Sequence, residues 1–272
     1  MIHSHAALPD FETVLLERIG RLLRITLNRP ELLNAAGLAL HDDLVEALWF
    51  AQGDPHSDLV VLTGAGRVFS AGGDIEHMAT CAAKAQLFDH EARMAKRLVF
   101  TLLDIDKPLI CRMNGHAVGL GATIALLCDI VIAADHARIG DPHVCVGLVA
   151  GDGGAAIWAQ RVGLGSAKEY LFTGELLTAQ RAAEIGLINR CVPADELDEA
   201  VDAFCGRLLS GAIDAIRATK ILMNLELKRI AHAVMDAGVA YESLSVRSGD
   251  HREGIAAFRE KRPPVFGQDK RP

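Results

Sequence analysis

Aromatic residues make up only 5% of this 272-residue sequence, although half of it is hydrophobic. Ala, Leu, Ile and Val carry the apolar content, a mixture suited to helices packed closely on strands, and it argues against disorder. Positive charge is not in surplus either: the net charge is −7 with both signs interspersed. That balance argues against a nucleic-acid surface, which needs a basic face, so an anionic ligand must be held locally. The six cysteines include no CxxC pair, and several fall in apolar runs where a free thiol behaves as a small buried hydrophobe. No apolar run approaches the roughly 18 residues that span a bilayer, and residues 1–11 lack a signal peptide's basic flank and apolar stretch. A cytoplasmic protein with no membrane partner is expected. His3 and His5 are two isolated candidate ligands near the terminus and carry no metal expectation.

What is present alternates. Apolar patterning predicts strands over 13–17 and 22–27, split at Gly20-Arg21, then a turn at Asn28-Arg29-Pro30 and a helix over 37–51. Buried strands are predicted over 58–63, 108–112 and 129–134, with a helix over 119–128. After Gly153 the pattern is helical, over 153–161, 166–172, 178–185, 194–209, 213–223 and 229–246, with 187–192 as the one late strand. The reading is an α/β core over residues 1–200 with parallel strands and a helical region over 201–272. Within that region Ile213, Ile216, Leu222, Met223, Leu225 and Leu227 offer more apolar surface than one exposed helix should carry, which suggests packing on the core or on another subunit. Basic residues gather at the end, Arg259, Lys261, Arg262, Lys270 and Arg271, as a solvated tail or an anion contact.

Two glycine clusters follow predicted strands. In Val60-Val-Leu-Thr-Gly-Ala-Gly-Arg-Val-Phe-Ser-Ala-Gly-Gly-Asp74, Gly72 and Gly73 permit unusual backbone angles and leave peptide N–H groups open to a ligand. A plain turn is the alternative. In Asn114-Gly-His-Ala-Val-Gly-Leu-Gly121 the chain enters an apolar helix whose first turn presents free donors at the positive end of the dipole. Close helix packing through Gly119 and Gly121 is the alternative here. A thioester oxygen gaining negative charge between the two clusters would be stabilised by about 3 kcal/mol per donor.

These segments, with Leu27-Asn28-Arg29-Pro30, Gly140-Asp141-Pro142, Leu171-Phe172-Thr173-Gly174, residues 183–189 (AEIGLIN) and residues 254–262 (GIAAFREKR), resemble the crotonase or enoyl-CoA hydratase/isomerase superfamily over nearly the whole chain. The resemblance implies a spiral of repeated β-β-α units and a C-terminal helical trimerisation region, giving a homotrimer or homohexamer. It implies an acyl-CoA substrate, with no cofactor beyond coenzyme A and no metal. The backbone N–H groups of Gly73 and Leu120 would form the oxyanion hole. Ala71 and Ile75 would lie along the adenine and pantetheine path, and Arg67, Lys261 and Arg262 would be candidates for the CoA phosphates.

The same resemblance places Thr123 and His143 where family hydratases carry two glutamates. Adding water to an enoyl thioester needs a base for the nucleophile and an acid at the α-carbon, and Thr supplies neither. His143 could exchange protons near neutrality, from an unperturbed pKa of about 6.5. Asp152 stands one position after Gly151, where several family isomerases carry an acid; its alternative role is to cap the helix that follows. Asp141, before Pro142, reads as a turn residue. Three functions compete: enoyl-CoA hydratase or isomerase chemistry through a thioester enolate, hydrolysis or decarboxylation on the same fold, and non-catalytic acyl-CoA binding.

Overall fold

In the computed structural model, which describes residues 7–268, β1 (Val14–Ile19) and β2 (Leu22–Leu27) form a hairpin closed by Gly20 and Arg21. Gly20 adopts φ +59°, the left-handed geometry that two-residue hairpins require. His3, His5, Lys270 and Arg271 lie outside the described residues. Helix α1 (Leu38–Gly53) crosses over to β3 (Leu59–Gly64), whose six residues are all buried, as a strand covered on both faces must be. Helices α2 (Ile75–Ala83) and α3 (Ala85–Asp104) then lead to β4 (Leu109–Met113).

From here each turn of the chain repeats a plan. Strand β4 is followed by the short β5 (Ala117–Val118) and α4 (Leu120–Leu127); β6 (Ile130–Ala134) is followed by β7 (Arg138–Gly140) and α5 (Gly154–Thr173). After β8 (Leu177–Thr178) and α6 (Ala179–Glu184), β9 (Arg190–Val192) closes the large sheet in the order β1-β2-β3-β4-β6-β9. All its pairings after β1–β2 are parallel. The small sheet runs β5-β7-β8, and Ser70 bridges Ala117 as its counterpart in the preceding turn. The β-β-α repetition is the α/β spiral that the sequence resemblance implied.

Helix α7 (Leu197–Leu209) covers the outer face of the large sheet through Leu197, Val201 and Cys205, so the layers of the core extend past residue 200. Helix α8 (Ile213–Val246) lies on the core, tied by Arg217 to Asp106 at 2.9 Å, Lys220 to Asp129 at 2.7 Å and Lys228 to Asp104 at 2.7 Å. Helix α9 (Gly249–Glu260) follows. Among the described residues no helix is long and apolar enough to cross a membrane.

Several elements differ from the sequence reading, which did not include α2 or the short strands β5, β7 and β8. The stretches 213–223 and 229–246 are one 34-residue helix, since the intervening Asn-Leu-Glu-Leu-Lys contains no breaker. Helix α3 was not anticipated; its core stripe of Ala92, Ala95, Leu98, Val99 and Leu102 is interleaved with many charges. Helix α9 was likewise not anticipated. The expected break between 161 and 166 appears as a kink at Gly163, with φ 77° and ψ 161°.

One side chain sets the first glycine-bearing loop. Buried Asn34 donates from Nδ2 to the carbonyls of Ala65 at 2.9 Å, Val68 at 3.1 Å and Phe69 at 3.1 Å, while its Oδ1 accepts from the Arg29 N–H at 2.9 Å. Asn34→Ala removes the partner of the Ala65 and Phe69 carbonyls and of the Arg29 N–H, while Val68 O keeps Asn114 Nδ2 at 3.2 Å, and is expected to cost about 3 kcal/mol in urea unfolding. A loss under about 0.5 kcal/mol would show that the loop holds itself.

Candidate active site

The loops after β3 and β5 touch through their backbones. Gly72 has φ +85°, and a side chain's first carbon there would lie 2.5 Å from the Val118 carbonyl oxygen and 3.6 Å from the Gly119 Cα. Only glycine permits this approach. On either side of Gly73 the peptides are paired: Ala36 N–H donates to Gly72 O at 2.6 Å, and Asp74 N–H to Ala36 O at 3.1 Å. The Gly73 N–H itself donates to no acceptor among the described residues. Leu120 opens α4, so its N–H has no carbonyl of its own helix to meet and carries the positive end of the dipole. The preceding Gly119, at φ 53° and ψ −123°, makes the sharp entry. Gly73 and Leu120 line one cavity of about 60 Å³.

A buried charge cluster faces the same cavity. The 3-10 turn His143–Val146 brings His143 beside Gly119, with its Cε1 3.5 Å from where a Gly119 side chain would begin. Its Nδ1 contacts Asp141 Oδ1, and its Nε2 lies 3.4 Å from Asp152 Oδ2. The other Asp152 oxygen accepts from Gly154 N–H at 3.3 Å and Thr123 Oγ1 at 3.4 Å. One Asp152 oxygen thus meets the helix start and the other faces the imidazole. Asp141 is more than a turn residue: it is buried, and its Oδ2 has no hydrogen-bond partner.

Burial disfavours charge on each of these groups, and the neighbours decide the outcome. Desolvation alone would lower the His143 pKa, but the Asp141 and Asp152 carboxylates outweigh it and hold it well above the ordinary value. Desolvation raises Asp152, opposed by His143 and reinforced by Asp141. The pair thus shares a proton that it holds tightly.

Glu242, from α8, was missed in the sequence. It lines the cavity and is buried, and desolvation, then Asp152, raise its pKa well above the ordinary carboxyl range. Its signal was present: residue 242 falls in phase with Ala231, Met235 and Val246 on the buried stripe of α8, where a charge is out of place. His41 of α1 and Glu91 of α3 also reach the cavity, although they stand far away in sequence.

An open groove of about 630 Å³ continues from Gly73 and His143 past Ala71, Ile75, Phe258 and Arg262. Of the residues expected along the coenzyme, Ala71, Ile75 and Arg262 are together there. Arg67 and Lys261 are not among its lining residues and are exposed. Arg262 is engaged by Glu253 at 2.5 Å and Glu260 at 2.5 Å. Among the described residues, two groups have side chains of metal-ligating type within 4.8 Å of one another: His77, Cys81 and Glu91, and Asp141, His143 and Asp152. In the first, His77 pairs with Glu91 at 2.5 Å, and desolvation, then Glu91, push the Cys81 thiol up to about 12.

A sequence profile described as enoyl-CoA hydratase/isomerase matches residues 17–270. The chain belongs to this family. The 2,3-dehydroadipyl-CoA hydratase of Escherichia coli (strain K12) is 35% identical over 257 residues, covering 93% of this chain and 98% of that protein. A probable enoyl-CoA hydratase of Mycobacterium tuberculosis is 34% identical over 261 residues, covering 94% and 98%. The crystal structure of an enoyl-CoA hydratase/isomerase from Mycobacterium paratuberculosis superposes with a TM-score of 0.86 at 37% identity, over 91% of this chain and 99% of that one. This enoyl-CoA hydratase/isomerase family member has the crotonase fold and is an enzyme of acyl-CoA chemistry.

His143, Asp152 and Glu242 all hold protons more tightly folded than unfolded. The folded state therefore binds the extra protons, and their contribution to stability is lost as pH rises. For the two carboxyls the loss begins above an unfolded pKa of about 4, for His143 above about 6.5, and each is complete once pH passes the folded value. Denaturant unfolding of the wild type and of Glu242→Gln should show the wild type's relative stability falling from pH 4 upward. A constant difference would show that Glu242 titrates normally.

Proposed function

We propose that the enzyme removes a proton from the acyl chain of a CoA thioester, holds the enolate oxygen between the N–H groups of Gly73 and Leu120, and moves the proton with the Asp152–His143 pair. The observation that carries this reading is the 3.4 Å approach of Asp152 Oδ2 to His143 Nε2 in the cavity that both donors line. The pair is one coupled proton store and not two separate carboxylates flanking a water. A single store suits a double-bond shift, in which one group takes the proton from one carbon and returns it two carbons away. The raised pKa of Asp152 increases its proton affinity, which a base at carbon needs. Ala71 and Ile75 flank the pantetheine path, and Lys261 and Arg67 remain candidates for the phosphates.

A hydrolytic reading is favoured by one contact. Asp141 against His143 Nδ1 orients the ring as a buried carboxylate orients a histidine base, so that the ring could activate water against a carbonyl carbon. Free-thiol release separates thioester cleavage from a proton shift.

Incubation in D2O with unreactive acyl-CoA should show exchange of the α-protons by mass spectrometry. Asp152→Asn is expected to slow both exchange and turnover by about two to four orders of magnitude while CoA binding persists. His143→Gln should also lose activity, since it breaks the shared proton. If both folded variants exchange as fast as the parent, this proton pair is not the catalyst.

Assembly belongs to the same reading. Leu222, Met223 and Leu225 are exposed on α8, an apolar strip suited to a homotrimer or homohexamer. Sedimentation at micromolar concentration should show the oligomer, and Leu222→Glu/Met223→Glu should dissociate it. A monodisperse wild-type monomer would remove this proposal.

A further inference from the structure

The cavity beyond the oxyanion donors has a mixed lining that a plain hydrocarbon chain does not need. Met78, Phe88 and Leu148 form apolar walls, and His41, Glu91 and Glu242 interrupt them. Glu91 is occupied by His77 at 2.5 Å and Cys81 at 3.5 Å. The other two are not satisfied within the protein. Glu242 is 6% exposed, and its carboxyl makes no hydrogen bond among the described residues. His41 is also 6% exposed; its Nδ1 faces the Gly37 carbonyl at 3.1 Å, so the neutral ring carries its proton there and Nε2 is left as an acceptor.

We propose that the acyl group of the substrate carries a hydroxyl or carbonyl oxygen beyond C3, and that Glu242 and His41 are the residues that receive it and set specificity. This rests on the acyl-CoA reading above. Desolvation, with Asp152, Asp141 and Glu91 nearby, outweighs the opposing His143 and favours the protonated Glu242 carboxyl, which is a hydrogen-bond donor. Burial lowers the His41 pKa and keeps that ring neutral. The cavity therefore offers one donor and one acceptor. A hydroxyl can use either, and a ketone can use the donor. A plain alkyl chain would seal both away unpaired, at a loss on the order of 10- to 100-fold in affinity per group. Sites built to bond a substrate oxygen discriminate against the isostere lacking it more strongly than apolar pockets discriminate by size. At about 60 Å³ the cavity is small beside the 630 Å³ groove, so the acyl group is short. A terminal carboxylate would lie against the carboxylates of Glu91 and Asp152 and is disfavoured.

Titration calorimetry with saturated thioesters tests this without turnover, by comparing 4-hydroxybutyryl-CoA with isosteric pentanoyl-CoA and 5-hydroxypentanoyl-CoA with hexanoyl-CoA. Glutaryl-CoA, 4-aminobutyryl-CoA and CoA complete the series. At least one hydroxyacyl thioester is expected to bind at least tenfold tighter than its alkyl isostere, with glutaryl-CoA weakest. Glu242→Leu should abolish that preference by weakening the hydroxyacyl ligand, whereas Glu242→Gln, whose amide still donates, should keep most of it. Equal binding of both isosteric pairs, or a preference unchanged in a folded Glu242→Leu, overturns the proposal while binding of CoA keeps the acyl-CoA reading. Tightest binding of the aminoacyl thioester overturns it in favour of a cation site. Failure of every thioester and of CoA to bind overturns both readings. The wild-type comparison needs no variant, so a misfolded Glu242→Leu leaves the test decisive.

Discussion

The contact on which the site depends is the one between two backbones, Gly72 against Val118 and Gly119. Two other glycines repeat it along the same seam: a side chain at Gly115 would begin 2.2 Å from the Arg67 carbonyl oxygen, and one at Gly121 would begin 2.7 Å from the Ser70 Cβ. The chain after β3 and the chain flanking β5 therefore pack backbone to backbone at Gly72 and Gly115. Their peptide planes are fixed by each other, so the unpaired N–H groups are positioned before any ligand arrives, as electrostatic stabilisation of a developing anion requires. The parallel pairing of β3 with β4 contributes by ending these two strands at the same edge of the large sheet.

That much was legible in the sequence because it is local. Glycine clusters after apolar runs, and strands with continuous hydrophobicity, announce themselves in windows of ten residues. The α3 stripe did not, because Glu91, Arg93, Lys96 and Arg97 stand among its core residues and dilute the pattern. Asp152 was legible as an ambiguity, and the geometry explains why: a carboxylate has two oxygens, and these face different partners. Glu242 left only its place on the buried stripe of α8 as a signal, and His41 left none. Each comes from a helix whose approach to the cavity is decided by packing, and nothing adjacent in sequence marks where that helix will lie.

Four buried acidic or basic groups within one small region would ordinarily be a structural liability, since charge is costly where water is excluded. Here the cost is limited by pairing and by protons. His143 stands between two carboxylates, and Glu242 avoids the cost by remaining neutral. The arrangement stores protons in an interior that would otherwise be hydrocarbon, and shifted acidity in a cleft is a recurrent mark of catalytic sites.

The backbones of Gly151 and Gly238 also touch: a side chain at Gly151 would begin 2.3 Å from the Gly238 carbonyl oxygen and 2.8 Å from Glu242 Oε2. The loop carrying Asp152 is thus closed over by α8, which is distant from it in sequence. Without that helix the proton cluster would stand open to water, which would relax its unusual acidities, so the helix that walls the cavity also sets the chemistry inside it.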